Sequence, residues 1–148
     1  DKFYIFKGEE FIMVTSGTTN SGSYGLYNFT RYFAPGVAVI KTNEWYHNLW
    51  KSGLHKGKMK ALVQANNIIF YRDSNKNRIV EENTSKLFSD IIGINFHTAT
   101  YTSKNIIRRL IGSWSVGCQV CNNNKDYKKI LSLVKNQRFV SYCLIKEF

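Results

Sequence analysis

Short runs of β-branched and aromatic residues, separated by turn-forming residues, constrain the fold of this chain more than any other feature. Runs of this length and composition favour β-strands over helices. We interpret as strands the segments Tyr4–Phe6, Phe11–Thr15, Gly36–Lys41, Ala61–Ala65, Asn67–Arg72, Ile91–His97 and Phe139–Ile145. The first two indicate a hairpin that turns at Gly8-Glu9-Glu10. The sequence therefore predicts a mainly β fold.

One segment has helical rather than strand periodicity. Asp126–Val134 carries apolar residues at positions 127, 130, 131, 133 and 134, close to the spacing of one helix face. Asp126 or an asparagine before it is a suitable N-cap. We expect one or two short helices beside the strands.

The whole chain, residues 1–148, is predicted to be one domain. It is 43% hydrophobic, which suffices for a core without metal or disulfide support. There is no internal repeat, and the best candidate for a linker is the short segment Ser16–Ser23. No apolar run reaches the roughly 20 residues of a membrane span, and no signal peptide is visible.

The charge of the chain is strongly positive. Twenty-one Lys and Arg against ten Asp and Glu give a net charge of +11 and a pI near 9.7. Such a surface attracts polyanions, among them nucleic acid, anionic lipid and acidic cell-wall polymers. Charge alone does not choose among these partners.

Three cysteines are present, Cys118, Cys121 and Cys143, and an odd number does not make a disulfide framework. Cys118 and Cys121 form a C-x-x-C, but the surrounding sequence lacks the helix that a thioredoxin-like site needs. A zinc site would need a second pair of ligands. Cys121 and Cys143 are predicted to be packing residues or to pair with each other.

The segment Gly93–Val120 contains the residues that could take part in catalysis. His97 ends an apolar run, and Cys118 follows 21 positions later in Ser115-Val116-Gly117-Cys118. A neighbouring imidazole can take the proton of a thiol, and the resulting ion pair lowers the pKa of the thiol. Gly117 would leave room for a substrate carbonyl, which nearby backbone N–H groups could bind as an oxyanion. Ser115 would fix the turn or bond to the imidazole.

These residues resemble the L,D-transpeptidase catalytic domains (YkuD-type), which carry a histidine, a spacer and a Ser/Thr-His-Gly-Cys signature. The chain is most similar to a bacterial and phage subgroup with the pattern GINIH…WSAGCQV. The matching residues here are GINFH at positions 93–97 and WSVGCQV at positions 114–120. Further similar blocks are GLHKG at 53–57, ALVQ at 61–64 and YRD at 71–73. The resemblance covers roughly residues 35–145.

The resemblance implies a single β-rich, β-sandwich-like domain that acts on the stem peptides of peptidoglycan through a thioester, without a metal or cofactor. Cys118 would be the nucleophile and His97 the base. The Gly117 and Cys118 amides would hold the oxyanion, with Ser115 and Asn95 as support. Peptidoglycan as substrate implies an extracytoplasmic location, with anionic cell-wall polymers as further candidate partners. A carboxypeptidase or endopeptidase that hydrolyses the same substrate is the alternative.

The chain departs from the family signature at two places. Val116 replaces the second histidine, and Gln119-Val120 replaces the arginine or asparagine that often follows the cysteine. His55 is a possible substitute, although its basic context, HKGK, is more typical of a surface histidine. The residues that we assign to substrate binding are His55, Asn95, Arg108, Arg109, Trp114 and Gln119. The two arginines could clamp a substrate carboxylate.

Two other patterns have competing interpretations. Asp73-Ser-Asn75-Lys-Asn77 matches the first half of a calcium loop, but Arg78 stands where glycine is expected and Thr84 where glutamate is expected, which favours a polar turn. The aromatic segment Trp45–Trp50, followed by Lys51, Lys56, Lys58 and Lys60, suits single-stranded nucleic acid, a glycan strand or an amphipathic edge. A non-catalytic nucleic-acid-binding module is the alternative of another class, but nucleic acid is not the partner we expect.

Overall fold

The protein folds into ten strands and two short helices within the residues that the computed structural model describes, which are 1–28, 36–75, 77–79, 86–100, 104–110, 112–113 and 115–146. The elements in chain order are β1 (Lys2–Lys7), β2 (Glu10–Thr18), α1 (Ser23–Tyr27), β3 (Ala38–Ile40), β4 (Glu44–His55), β5 (Met59–Gln64), β6 (Ile68–Arg72), β7 (Leu87–Asp90), β8 (Phe96–Thr98), β9 (Gln119–Cys121), α2 (Asn124–Leu133) and β10 (Val140–Leu144). The expectation of a mainly β fold with few short helices is confirmed.

The strands form two sheets. The larger has seven strands in the order β1-β2-β9-β8-β5-β4-β10, and the smaller has three in the order β3-β6-β7. Neighbouring strands are antiparallel, except that β8 and β9 run parallel. Leu49 and Leu62 of the larger sheet share one core with Ile40 and Phe70 of the smaller. The core therefore lies between the sheets.

The N-terminal hairpin forms as predicted. Phe3 and Met13 face the core, whereas Tyr4 and Phe11 lie exposed on the other face. The predicted linker at Ser16–Ser23 is wrong, because β2 continues to Thr18 and pairs with β9. Gly17 permits this pairing: a Cβ at this position would lie 2.1 Å from the Val120 carbonyl oxygen.

The aromatic segment at 45–50 begins β4, which pairs with β5 on one side and β10 on the other. It is therefore not an edge strand, in contrast to the amphipathic-edge interpretation. Tyr46 and Trp50 are buried, whereas Trp45 is 67% exposed and stacks on His47. Two of the three Tyr and Trp side chains that suited nucleic acid thus belong to the core.

The apolar run Ile91–His97 becomes a strand only at its end, where β8 begins at Phe96. Its earlier residues are irregular because the side-chain oxygen of Gln64 accepts hydrogen bonds from the N–H groups of Ile92, Gly93 and Ile94, at 3.1, 2.9 and 3.0 Å. A buried side chain thus replaces the neighbouring strand as partner for these amides.

The predicted helix is α2, which begins two residues earlier than expected. Asn123 is its N-cap and accepts hydrogen bonds from the N–H groups of Lys125 and Asp126. Tyr127 on its buried face donates a hydrogen bond to the Phe96 carbonyl at 2.9 Å, which ties the helix to β8. The strands predicted at 36–41, 61–65, 67–72 and 139–145 correspond to β3, β5, β6 and β10.

None of the helices in the described ranges has the length and apolar character needed to cross a bilayer.

Candidate active site

The parallel pairing of β8 and β9 brings the two ends of the predicted catalytic segment together. His97 lies opposite Val120, and the Gln119 N–H donates to the Asn95 carbonyl at 2.9 Å. Cys118 therefore lies beside Asn95, two residues along each strand from the pair formed by His97 and Val120. Since alternate residues of a strand share a face, Asn95, His97 and Cys118 lie on one face of the sheet.

His55 joins this face from the end of β4. Its ring stacks on that of His97, with 4.2 Å between ring centroids. A ring nitrogen of each histidine and Cys118 Sγ lie within 4.8 Å of one another. His55 is only 8% exposed, so the expectation of a surface histidine is wrong.

Hydrogen bonding fixes the tautomer of His97. Its Nδ1 lies 2.8 Å from the Thr98 carbonyl oxygen, which can only accept, so Nδ1 carries the proton. The other nitrogen, Nε2, is buried and has no hydrogen-bond partner among the described residues. His97 therefore presents one bare lone pair, which is what a base for a thiol proton requires.

A series of hydrogen bonds from Gln64 through Asn95 fixes the opposite tautomer in His55. The Gln64 backbone N–H donates to Asn95 Oδ1 at 3.0 Å, and this identifies the other end of the Asn95 side chain as Nδ2. Asn95 Nδ2 then donates to His55 Nδ1 at 3.0 Å. The neutral His55 ring must carry its proton on Nε2, so it offers a hydrogen-bond donor where His97 offers an acceptor.

Burial controls the protonation of the site. It raises the pKa of the Cys118 thiol above its ordinary value. It lowers the pKa of His97 to about 4, and the charge of Lys56 acts in the same direction. The pKa of His55 is lowered for the same two reasons. The resting pair is thus a neutral thiol beside a neutral imidazole, and the expected lowering of the thiol pKa is not found.

The turn before Cys118 is held by Ser115. Its hydroxyl donates to the Cys118 carbonyl at 2.7 Å and accepts from the Gly117 N–H at 3.1 Å. Of the two interpretations of Ser115, the structure shows the one in which it fixes the turn. The Gly117 amide is thus already bonded, whereas the Cys118 amide has no hydrogen bond to any residue in the described ranges. The Cys118 N–H is the backbone donor left for an oxyanion.

Gly117 makes room for protein rather than for substrate. Its φ is +131°, and a Cβ at this position would lie 2.7 Å from the Ala38 carbonyl oxygen of β3. The close neighbour is therefore the smaller sheet, and not the open space for a substrate carbonyl that the sequence suggested.

Other predicted substrate-binding residues lie away from this cluster. Gln119 is fully buried; it donates to the Thr19 and Gly117 carbonyls and accepts from Tyr142, so it supports the turn from within. Arg108 and Arg109 are exposed, and the Arg108 N–H is bonded to Asn122. Asn122 lies four residues beyond Cys118, about 13 Å along a strand. Trp114 lies outside the described residues.

The other two cysteines take no part in the site. All three are free thiols. Cys121 faces the core beside the Thr15 hydroxyl, on the face of β9 opposite to Cys118, which removes the C-x-x-C interpretation. Cys143 lies on β10, and three strands separate it from β9, so of the two alternatives for Cys121 and Cys143 the structure excludes the disulfide pair.

The three side chains are also possible metal ligands, since Cys and His are the usual partners of zinc. The hydrogen bonds decide against a three-ligand set in this conformation. His55 Nδ1 accepts from Asn95 and its Nε2 is protonated, so the ring has no free lone pair. The arrangement suits proton transfer and hydrogen bonding.

Three contributors to the site were not predicted from the sequence. Thr98 acts through its backbone carbonyl, which has no sequence signal. Gln64 orients Asn95 through its backbone N–H and holds the loop at 92–94 through its side chain. The sequence signal for this role was a polar residue within a strand that is otherwise apolar. Lys56, in the turn after His55, lies near enough to lower the pKa of both histidines.

We expect the lowered pKa of His97 to contribute a fall of about 3 kcal/mol in the free energy of unfolding as the pH is lowered from 6.5 to 4. The unfolded chain binds a proton on His97 near pH 6.5, whereas the folded chain binds it only near pH 4. The unfolded state therefore holds more protons in this window, so stability rises with pH across it. Urea denaturation at several pH values should show a shallower slope for His97→Gln than for wild type. The exposed His47→Gln is the control, and an equal slope in all three proteins would contradict the assignment.

A scan against models of protein families, a search of curated proteins and a search of solved structures each found no match to this chain.

Proposed function

We propose that the protein is a cysteine-dependent acyltransferase that acts on peptidoglycan stem peptides through a thioester on Cys118. The observation that carries this proposal is the cluster of Cys118 Sγ with the ring nitrogens of His97 and His55, all within 4.8 Å. The Nε2 of His97 is a buried acceptor that has no hydrogen-bond partner among the described residues. A nucleophile, an oriented base and a separate donor are the parts that acyl transfer requires.

The first half-reaction forms the thioester. Cys118 Sγ attacks the carbonyl carbon of the scissile amide as the thiol proton passes to His97 Nε2. The Thr98 carbonyl, bonded to His97 Nδ1, stabilises the imidazolium that results. The imidazolium then gives its proton to the departing amine, the C–N bond breaks, and a D-amino acid leaves.

The second half-reaction regenerates the thiol. An amine, or a water molecule, loses a proton to His97 Nε2 and attacks the thioester carbonyl. The C–S bond breaks, and the sulfur recovers the proton from His97. Attack by an amine is transpeptidation, and attack by water is hydrolysis, so the residues of the site serve either outcome.

The oxyanion of each step needs hydrogen-bond donors. The Cys118 N–H is unoccupied within the described part of the chain, and His55 carries its proton on Nε2 through the Asn95 bond. We assign these two groups to the oxyanion. This role for His55 offsets the absence of the second histidine of the family signature, which is Val116 here.

The substrate class rests on the resemblance of GINFH and WSVGCQV to the L,D-transpeptidase signature. A stem peptide carries carboxylates, and Lys56 beside the site is a suitable partner for one of them. Because peptidoglycan lies outside the cytoplasmic membrane, we also propose an extracytoplasmic place of action.

The experiment is incubation with a purified tetrapeptide-stem muropeptide, with and without an amine acceptor, followed by chromatography of the products. We expect release of the terminal D-amino acid. With the acceptor, a cross-linked product identifies transfer, and a shortened stem alone identifies hydrolysis. Unchanged muropeptide under both conditions would overturn the proposed substrate.

A further inference from the structure

The loop after β6 has the residue pattern that begins a cation-binding loop. It begins at Asp73 and continues through Asn75 and Asn77, the D-x-N-x-N pattern in which alternate side chains offer oxygen atoms. Arg78 occupies the sixth position, where glycine is usual, and this favoured a simple polar turn. Thr84, the expected twelfth position, lies outside the described residues.

Arg78 adopts the backbone conformation that glycine provides in such loops. Its φ is +74°, and its N–H donates to Asp73 Oδ2 at 3.0 Å. The N–H of Asn77 donates to Asn75 Oδ1 at 3.1 Å, and that of Ile79 to Asn77 Oδ1 at 2.9 Å. The arginine at this position therefore adopts the φ that glycine would supply and keeps the hydrogen bond to the first residue of the loop.

A separate observation points to a ligand. Asp73 is 1% exposed, and its second oxygen, Oδ1, is buried without a hydrogen-bond partner among the described residues. A buried carboxylate oxygen without a partner is costly to a fold. Arg78 does not compensate it as an ion pair, since its guanidinium lies over the Tyr27 ring, 4.4 Å from the centroid.

We propose that this loop binds a divalent cation of the calcium type through Asp73 Oδ1 and the side-chain oxygens of Asn75 and Asn77. Oxygen atoms alone, from one carboxylate and two amides, are the ligands of a hard cation. Asn75 and Asn77 are exposed, so water can complete the coordination. With one carboxylate the site is weak, with a Kd on the order of 10⁻⁴ to 10⁻³ M.

The loop is connected to the turn that carries Cys118. The Asp73 N–H donates to the Val37 carbonyl at 3.1 Å, and Gly36 lies directly against the Asp73 carbonyl. One residue further along, the Ala38 carbonyl contacts Gly117. A cation that orders Asp73 therefore stabilises β3 and, through it, the backbone before the nucleophile. The binding itself does not depend on the proposed function.

The test is thermal unfolding of the full chain with calcium, combined with terbium luminescence. At 10 mM CaCl2 we expect the melting temperature of wild type to rise by about 4 °C relative to sodium chloride of equal ionic strength. Terbium should bind and be displaced by calcium. The exposed Asp90→Asn is the matched control and should respond like wild type.

Two variants should lose the response. Asp73→Asn replaces the carboxylate with an amide of the same size and should not respond to calcium. Asn75→Ala removes one exposed ligand and decides the question if Asp73→Asn does not fold. No calcium shift and no terbium emission in wild type, or an Asn75→Ala response equal to that of wild type, would overturn the proposal.

Discussion

Replacement of Cys118 by alanine is expected to reduce the rate of acyl transfer on the order of 10⁶-fold, the loss typical of a removed nucleophile. The reason is that the remaining groups, His97 and His55, can move protons and donate hydrogen bonds but cannot form the thioester. The measurement is the initial rate of D-amino acid release from a tetrapeptide-stem muropeptide.

The chain supplies its own matched control for this change. Cys143 is another free, partly buried thiol, but it lies on β10, with β4 and β5 between it and β8. Cys143→Ala should therefore retain the wild-type rate. Turnover that survives in Cys118→Ala, or that falls equally in both variants, would remove Cys118 from the reaction.

Replacement of Gly117 by alanine should have the largest effect on stability among the changes near the site. A φ of +131° is strained for a residue with a Cβ, which costs about 1–3 kcal/mol. The new Cβ would also lie 2.7 Å from the Ala38 carbonyl oxygen, and overpacking of this kind costs about 1–3 kcal/mol. We expect the free energy of unfolding to fall by about 2–6 kcal/mol.

Gly8 is the control for a glycine of positive φ that has no close neighbour. It also has a positive φ, +60°, but a Cβ there would meet no atom within 4 Å. Gly8→Ala should therefore show only the conformational cost, about 1 kcal/mol. Urea denaturation of both variants gives the comparison, and an equal loss in both would show that the contact with Ala38 carries no energetic weight.

The mainly β fold class and several elements could be predicted from residue patterns, whereas the register between strands could not. The hairpin, α2 and β10 follow from local periodicity and turn residues. The run Ile91–His97 looked like a strand because it is apolar, but the Gln64 side chain takes the amides that a neighbouring strand would need. That contact joins residues almost 30 positions apart, and local patterns contain no information about it.

In the candidate site, too, some residues could be predicted from the sequence and others could not. Cys118 and His97 could be singled out because their residue types and spacing have chemical meaning. The position of His55 depends on how β4, β5 and β8 align, so its basic neighbours misled the prediction towards the surface. Gln119 follows Cys118 in the motif, yet strand alternation places its side chain in the interior. The Thr98 carbonyl is a backbone group, and any residue could supply it.

The central claim is that Cys118 carries a covalent acyl group, and intact-protein mass spectrometry after brief exposure to a tetrapeptide-stem muropeptide tests it most directly. We predict a mass gain equal to the muropeptide less its terminal D-amino acid, present on wild type and Cys143→Ala and absent from Cys118→Ala. Product formation by wild type without any adduct, or an adduct of the same mass on Cys118→Ala, would contradict the claim.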